Sequence, residues 1–171
     1  MPRIPLADLG DTTADRILGH RPELLDAWAS LRQALVGPSS TLSPHLTEEV
    51  RRTVAQHTGC AYCASLGKPE ARQQDEKKAL AVAFAEAVAI DHTAISDAQL
   101  EVLFEEFTIP QVVELLTWIS FEYAGQMLGS LIGDESATAE EREAFAAAVA
   151  SQPQPAASTS GTGASLRGSP R

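Results

Sequence analysis

Two cysteines, the only ones in the chain, stand three residues apart in the run Gly59-Cys60-Ala61-Tyr62-Cys63. A C-x-x-C pair closes a disulfide with modest strain. When it opens a helix, the N-terminal dipole and free backbone N–H groups also stabilise a thiolate. Gly59 ends one helix just ahead of the pair, so a turn of helix through Ala61 to Leu66 would begin at the cysteines, where reactivity needs it. Three chemistries are open to such a pair: thiol redox chemistry, metal binding, and inert packing as small hydrophobes. Zinc needs about four ligands, and His57 and His45, the candidates for third and fourth, match no common zinc spacing. A thioredoxin fold needs a βαβ pattern, and no strand pattern is found. Lys68, close in sequence, reads as a solvated side chain.

The elements that must position the cysteines read as helices throughout, because apolar residues recur at three- and four-residue steps. Arg21 to Leu35 sets Leu24, Leu25, Trp28, Leu31 and Leu35 on one stripe, stopped by Gly37 and Pro38. Leu46 to Thr58 is a second helix, and a third, rich in alanine, runs from about Glu70 to Ile90. Capping boxes, Ser96 with Gln99 and Thr108 with Gln111, start two more. The second of these also has Pro110 in its first turn. Val112 to Phe121 is too apolar for one exposed face, and is expected to be the central helix or one covered by a subunit partner. Gly125 and Gly129 would let another helix approach closely. Ala137 to Val149 forms a last amphipathic piece.

The chain has 171 residues, 44% of them apolar, which suits one domain with a real core. The expected division is a helical domain over 1–150 and a disordered tail over 151–171, since the tail has no acidic or aromatic residue and one large aliphatic, Leu166. Net charge is −10; the tail holds two arginines and no acid, so the first 150 residues carry −12. That surface repels phosphate backbones and anionic lipid, so neither nucleic acid nor a membrane is expected as partner. The start lacks an apolar run of signal-peptide length, and a cytoplasmic location is the expectation. In a reducing compartment a cysteine pair is a poor structural staple, which favours redox chemistry or metal binding. No flavin, haem or nicotinamide motif is present, and no cofactor is expected.

Glu48 lies twelve residues before Cys60. Together with Gly59-Cys60-Ala61-Tyr62-Cys63, the Arg21-Pro22-Glu23-Leu24-Leu25 helix and the late apolar helix, it makes most of residues 15–133 resemble the alkylhydroperoxidase AhpD-like proteins of the carboxymuconolactone decarboxylase fold. That resemblance implies an all-α domain that reduces hydroperoxides. Cys63 would attack the O–O bond and become a sulfenic acid, and Cys60 would resolve it as a disulfide. A dithiol such as a protein-bound dihydrolipoyl group would restore the thiols, with Glu48 and a histidine relaying protons. It further implies a trimer or hexamer. The decarboxylase branch of the fold does not need a cysteine pair.

One departure bears on the relay: the family's histidine stands four residues after the second cysteine, where this chain has Gly67. If the chain reverses at Gly59, helix geometry returns position 67 toward Glu48. Three readings follow: water carries the proton, His57 or His92 approaches from elsewhere, or turnover is lost and the pair serves a redox sensor or assembly module. Metal storage through cysteines and histidines is a further reading. Glu48 also has a plain alternative role, as part of an acidic first helical turn, Thr47-Glu48-Glu49. Glu86, Glu114 and Glu122, on strongly apolar helices, read as charged edges. Tyr62 reads as a packing residue.

Overall fold

Ser43 and Pro44 open the helix on which the others rest. The Ser43 hydroxyl accepts from the Leu46 N–H at 3.3 Å, and proline occupies the first turn, where its missing N–H leaves no bond unmade. The computed structural model describes residues 2–133 and 135–152, and all regular elements among them are helical. They are α1 (Thr13–Leu18), α2 (Pro22–Val36), α3 (Pro44–Ala55), α4 (Ala61–Ser65), α5 (Glu76–Asp91), a 3₁₀ turn (His92–Ala94), α6 (Asp97–Glu106), α7 (Ile109–Ile132) and α8 (Ala139–Ala150). The all-α expectation therefore holds. Ser151 and Gln152 form a turn after α8; the rest of the expected tail lies outside the described residues.

The most deeply buried helix is α3, while the late apolar helix, α7, packs against α2, α3, α4, α5 and α6. Ten of the twelve residues of α3 are buried, including Glu48, Glu49 and Arg51, and it packs against α4, α5, α7 and α8. Its charged side chains give the sequence a polar look that conceals this position. The core joins Val50 and Val54 of α3 to Ala81, Phe84 and Ala85 of α5 and to Leu115, Trp118 and Ile119 of α7. Trp118 keeps its indole N–H satisfied there by donating to the Thr47 carbonyl at 2.8 Å. At 24 residues, α7 spans about 36 Å. It buries one face only: Ile109, Val113, Tyr123, Met127 and Leu131 are exposed.

One expected boundary moves for an identifiable reason. The Ser96–Gln99 box forms, with the Ser96 N–H donating to Gln99 Oε1 at 2.9 Å, and Gln111 Oε1 accepts from the Thr108 N–H at 3.2 Å. The alanine-rich helix, however, starts at Glu76, capped by Asp75, rather than near Glu70. The cause is long-range: buried Glu49 accepts from the Glu70 N–H at 2.8 Å and from Gln73 Nε2 at 2.7 Å, strapping the preceding segment onto α3. The stripe on α2 also divides, since Leu35 is buried, Leu25 and Trp28 are half-buried, and Leu24 and Leu31 face solvent. No helix among the described residues is long and apolar enough to cross a membrane.

Burial alone would raise the Glu49 carboxyl pKa, but the Glu70 N–H, the Gln73 amide and the Arg52 guanidinium outweigh it and hold the group below the usual range. A depressed folded-state pKa adds stability above the unfolded carboxyl value, and that stability is lost as pH falls through the folded one. Glu49→Gln should cost about 1–3 kcal/mol at neutral pH by urea unfolding. The deficit should shrink as the pH is lowered through the carboxyl range; one that is constant with pH would contradict this account.

Candidate active site: a disulfide beside an interhelical cleft

Gly59 has φ +73°, a left-handed turn that suits glycine, and it reverses the chain directly before the cysteine pair. Cys60 then caps α4, its sulfur accepting from the Cys63 N–H at 3.2 Å, so the expected helix start at the cysteines is present. The two residues are joined as a disulfide, with Cα atoms 5.3 Å apart, inside the usual range. Their environments differ. Cys60 is fully buried, whereas Cys63 is half-buried and lines a cleft. The difference is set by α7, which lies over the pair. A Cβ added at Gly129 would sit 2.7 Å from the Cys60 sulfur and 3.7 Å from that of Cys63. Gly129 thus admits the disulfide itself, while Gly125 admits the Trp28 ring of α2, which would be 3.1 Å from an added Cβ.

Glu48 is close to the pair in the fold but is not bonded to sulfur. Arg51 grips it with two bonds, Nε to Oε2 at 2.7 Å and Nη2 to Oε1 at 2.9 Å, and Arg52 Nε donates to Oε1 at 2.7 Å. Its link to the cysteines runs through Arg51, whose Nη1 donates to the Cys63 carbonyl at 3.1 Å and whose guanidinium lies over the Phe145 ring. The acidic-first-turn reading does not fit, because both glutamates are buried and held by arginine. Position 67 does return toward Glu48. A Cβ on Gly67 would stand 3.2 Å from Arg52 Nε, so Arg52 fills the space a histidine would need. Burial would lower the Arg52 pKa, but Glu48 and Glu49 outweigh that and raise it, so the group holds its proton firmly.

The histidines point elsewhere. His57 lies at the end of α3 on the side of α5, with Nε2 3.9 Å from Glu86 Oε1. His45 meets Lys78 and Glu70, His20 bonds the Pro5 carbonyl, and His92 is exposed in the 3₁₀ turn. The expectation that His57 or His92 approaches the cysteines is not met in this arrangement. Among the described residues, no group of three His, Cys, Asp or Glu side chains is placed to hold a metal ion.

The cleft beside Cys63 measures about 950 Å³, and Leu25 and Trp28 of α2, Phe121 of α7 and Phe145 of α8 supply apolar lining. Trp28 and Phe121 pack with ring centroids 4.4 Å apart. Glu122, half-buried, lines the same cleft. Its Oε2 accepts from Gln126 Nε2 at 2.8 Å; Gln126 also donates to the Arg51 carbonyl and accepts from the Thr58 hydroxyl at 3.1 Å. Burial raises the Glu122 carboxyl pKa, and Gln126, Arg51 and Arg32 only partly oppose it. The charged-edge reading is therefore wrong for Glu122. Glu114, half-buried, accepts from the Ser40 and Thr41 hydroxyls and the Thr41 N–H and pins the loop before α3. The signal for the first was in the spacing, because Glu122, Gln126 and Gly129 fall at i, i+4 and i+7 on one face of α7.

No family model and no curated protein matches the chain. Among solved structures it is similar to an uncharacterized peroxidase-related protein from Silicibacter sp. TM1040, with a TM-score of 0.67 and 18% identity over 76% of this chain and 78% of that one. The likeness is one of fold.

Gly129→Ala should destabilise the oxidised protein by about 1–3 kcal/mol, because the new methyl overpacks the disulfide. Urea unfolding reads this directly, and an unchanged midpoint would contradict the close approach of α7.

Proposed function

We propose that the protein is an AhpD-like thiol peroxidase in which Cys63 is the peroxidatic and Cys60 the resolving cysteine. The observation that carries this reading is the asymmetry of the pair: one sulfur borders a substrate-sized cleft and the other is sealed under Gly129. The Cys63 thiolate attacks the terminal oxygen of a hydroperoxide, the O–O bond breaks, and the alcohol leaves after taking up a proton. Cys60 then attacks the Cys63 sulfenic acid, water departs, and the disulfide forms. An external dithiol, such as a dihydrolipoyl protein of a reducing cytoplasm, restores both thiols. In this reading Glu48 acts by holding Arg51, and through it the Cys63 carbonyl, rather than by moving the proton itself. The exposed apolar face of α7 supports assembly with further copies, as trimer or hexamer, and the working unit is the helical domain over 1–150.

A second reading is favoured by one observation: Arg52, which holds its proton, stands where a relay imidazole would be. The pair would then serve a redox sensor or assembly module that oxidises once and turns over slowly.

A peroxide-consumption assay with dihydrolipoamide separates the two. The peroxidase reading predicts turnover by wild type, loss to background in Cys63→Ser, and a single equivalent consumed by Cys60→Ser. Single-equivalent oxidation of wild type, with a change in particle size by light scattering, would instead support the sensor. Gly67→His should not raise the rate, because the backbone there has φ +145° and Arg52 occupies the space. It should lower stability by about 1–3 kcal/mol. Faster turnover in that variant would show that the missing imidazole limits the enzyme.

A further inference from the structure

Reducing a disulfide with a dithiol requires a place for protons. The attacking sulfur must lose one, and the two sulfurs released must each gain one. Beside Cys63 the charged groups are mostly committed. Glu48 is held by Arg51 and Arg52, and Arg51 uses Nε and Nη2 on Glu48 and Nη1 on the Cys63 carbonyl. Arg32, on α2, is exposed at the rim. Facing the hollow next to Glu122, α8 presents Phe145 and Val149. Three carboxyls line the cleft that Cys63 borders: Asp11 is exposed, Asp15 is tied into the capping box of α1, and Glu122 is half-buried on α7, the helix that lies over the disulfide. Gln126 fixes Glu122 Oε2, while Oε1 has no hydrogen-bond partner among the described residues. Gln126 is itself fixed by the Thr58 hydroxyl and the Arg51 carbonyl, so the carboxyl is held in one orientation.

We propose that Glu122 is the acid–base residue of the reductive half-reaction, exchanging protons with a dithiol bound in the cleft. This rests on the reading of Cys60–Cys63 as a redox pair reduced by an external dithiol. The Glu122 carboxylate takes the proton of the first thiol, whose sulfur attacks Cys63. The Cys60–Cys63 bond breaks and Cys60 leaves as a thiolate. The second thiol attacks the mixed disulfide, and the oxidised dithiol departs as a cyclic disulfide. The two protons of the dithiol end on Cys60 and Cys63, the first relayed by Glu122. Burial raises the Glu122 carboxyl pKa, which makes its carboxylate a stronger proton acceptor than an exposed one. Glu48 and Arg51 on α3, Arg32 on α2 and Gln126 on α7 are the neighbours that set its titration.

Stopped-flow reduction of the oxidised full-length protein tests this, with dihydrolipoamide as one reductant and a water-soluble trialkylphosphine, which needs no thiol deprotonation, as the other. Glu122→Gln should slow the dithiol reaction about 100-fold near neutral pH and leave the phosphine reaction unchanged. The wild-type dithiol rate should show an inflection below the ionisation of the thiol itself. Glu122→Asp should keep that inflection and Glu122→Gln should lose it. Equal rates and profiles for wild type and Glu122→Gln, or equal losses with both reductants, would overturn the proposal. A wild-type disulfide that dihydrolipoamide leaves intact would defeat the dithiol cycle and this role together. A protein reduced in a Glu122-dependent way that consumes no peroxide would defeat the peroxidase reading alone.

Discussion

Four charged side chains on two turns of α3, Glu48, Glu49, Arg51 and Arg52, bind one another inside the protein and reach out to the segments that follow. Taking such charges out of water is costly, and the cost is offset only when hydrogen bonds satisfy nearly every lone pair and N–H. Here they do: Glu48 accepts from both arginines, and Glu49 from Arg52, the Glu70 N–H and Gln73. The network therefore acts as a register device. Arg51 fixes the Cys63 carbonyl, and with it the cysteine turn, while Glu49 fixes the strap that leads into α5. Removing one partner of a buried pair leaves a charge without compensation, which generally costs about 3–5 kcal/mol.

The second constraint comes from α7. Its length allows one helix to build the core with Leu115, Trp118 and Ile119, wall the cleft with Phe121 and Glu122, and seal one sulfur at Gly129. The disulfide is consequently presented from one side. Cys60 is held by packing and Cys63 meets the cleft, so the two halves of a symmetric motif differ in access. Glu122, drawn from α7, lines that cleft, while Glu48, the acid that the AhpD resemblance points to, is tied into the supporting network.

Local signals were legible in the sequence. Gly37 ends α2, the Ser96–Gln99 box opens α6, and Gly59 with the C-x-x-C motif places the cysteines at a helix start. What the residues could not convey was long-range. Nothing local marks α3 as the most buried helix, because the partners of its carboxylates are arginines on the same helix and the distant groups of Glu70 and Gln73. The start of α5 was misplaced because Glu49 competes for the backbone at Glu70. Thr12 with Asp15 and Thr138 with Glu141 form two further capping boxes, at the starts of α1 and α8. Glu122 reads as a rim charge from sequence because an apolar helix with two acids, Glu114 and Glu122, does not reveal which side its neighbours cover.

The account depends most on the unequal exposure of two sulfurs three residues apart, and that is measurable without substrate. Time-resolved alkylation of the fully reduced, folded protein, quantified for each cysteine by peptide mass spectrometry, reports it directly. Cys63 should be modified first, as a cleft-facing thiolate at the start of a helix, with Cys60 following only as the protein opens. Modification of Cys60 at the same rate or faster would contradict the assignment of the two sulfurs.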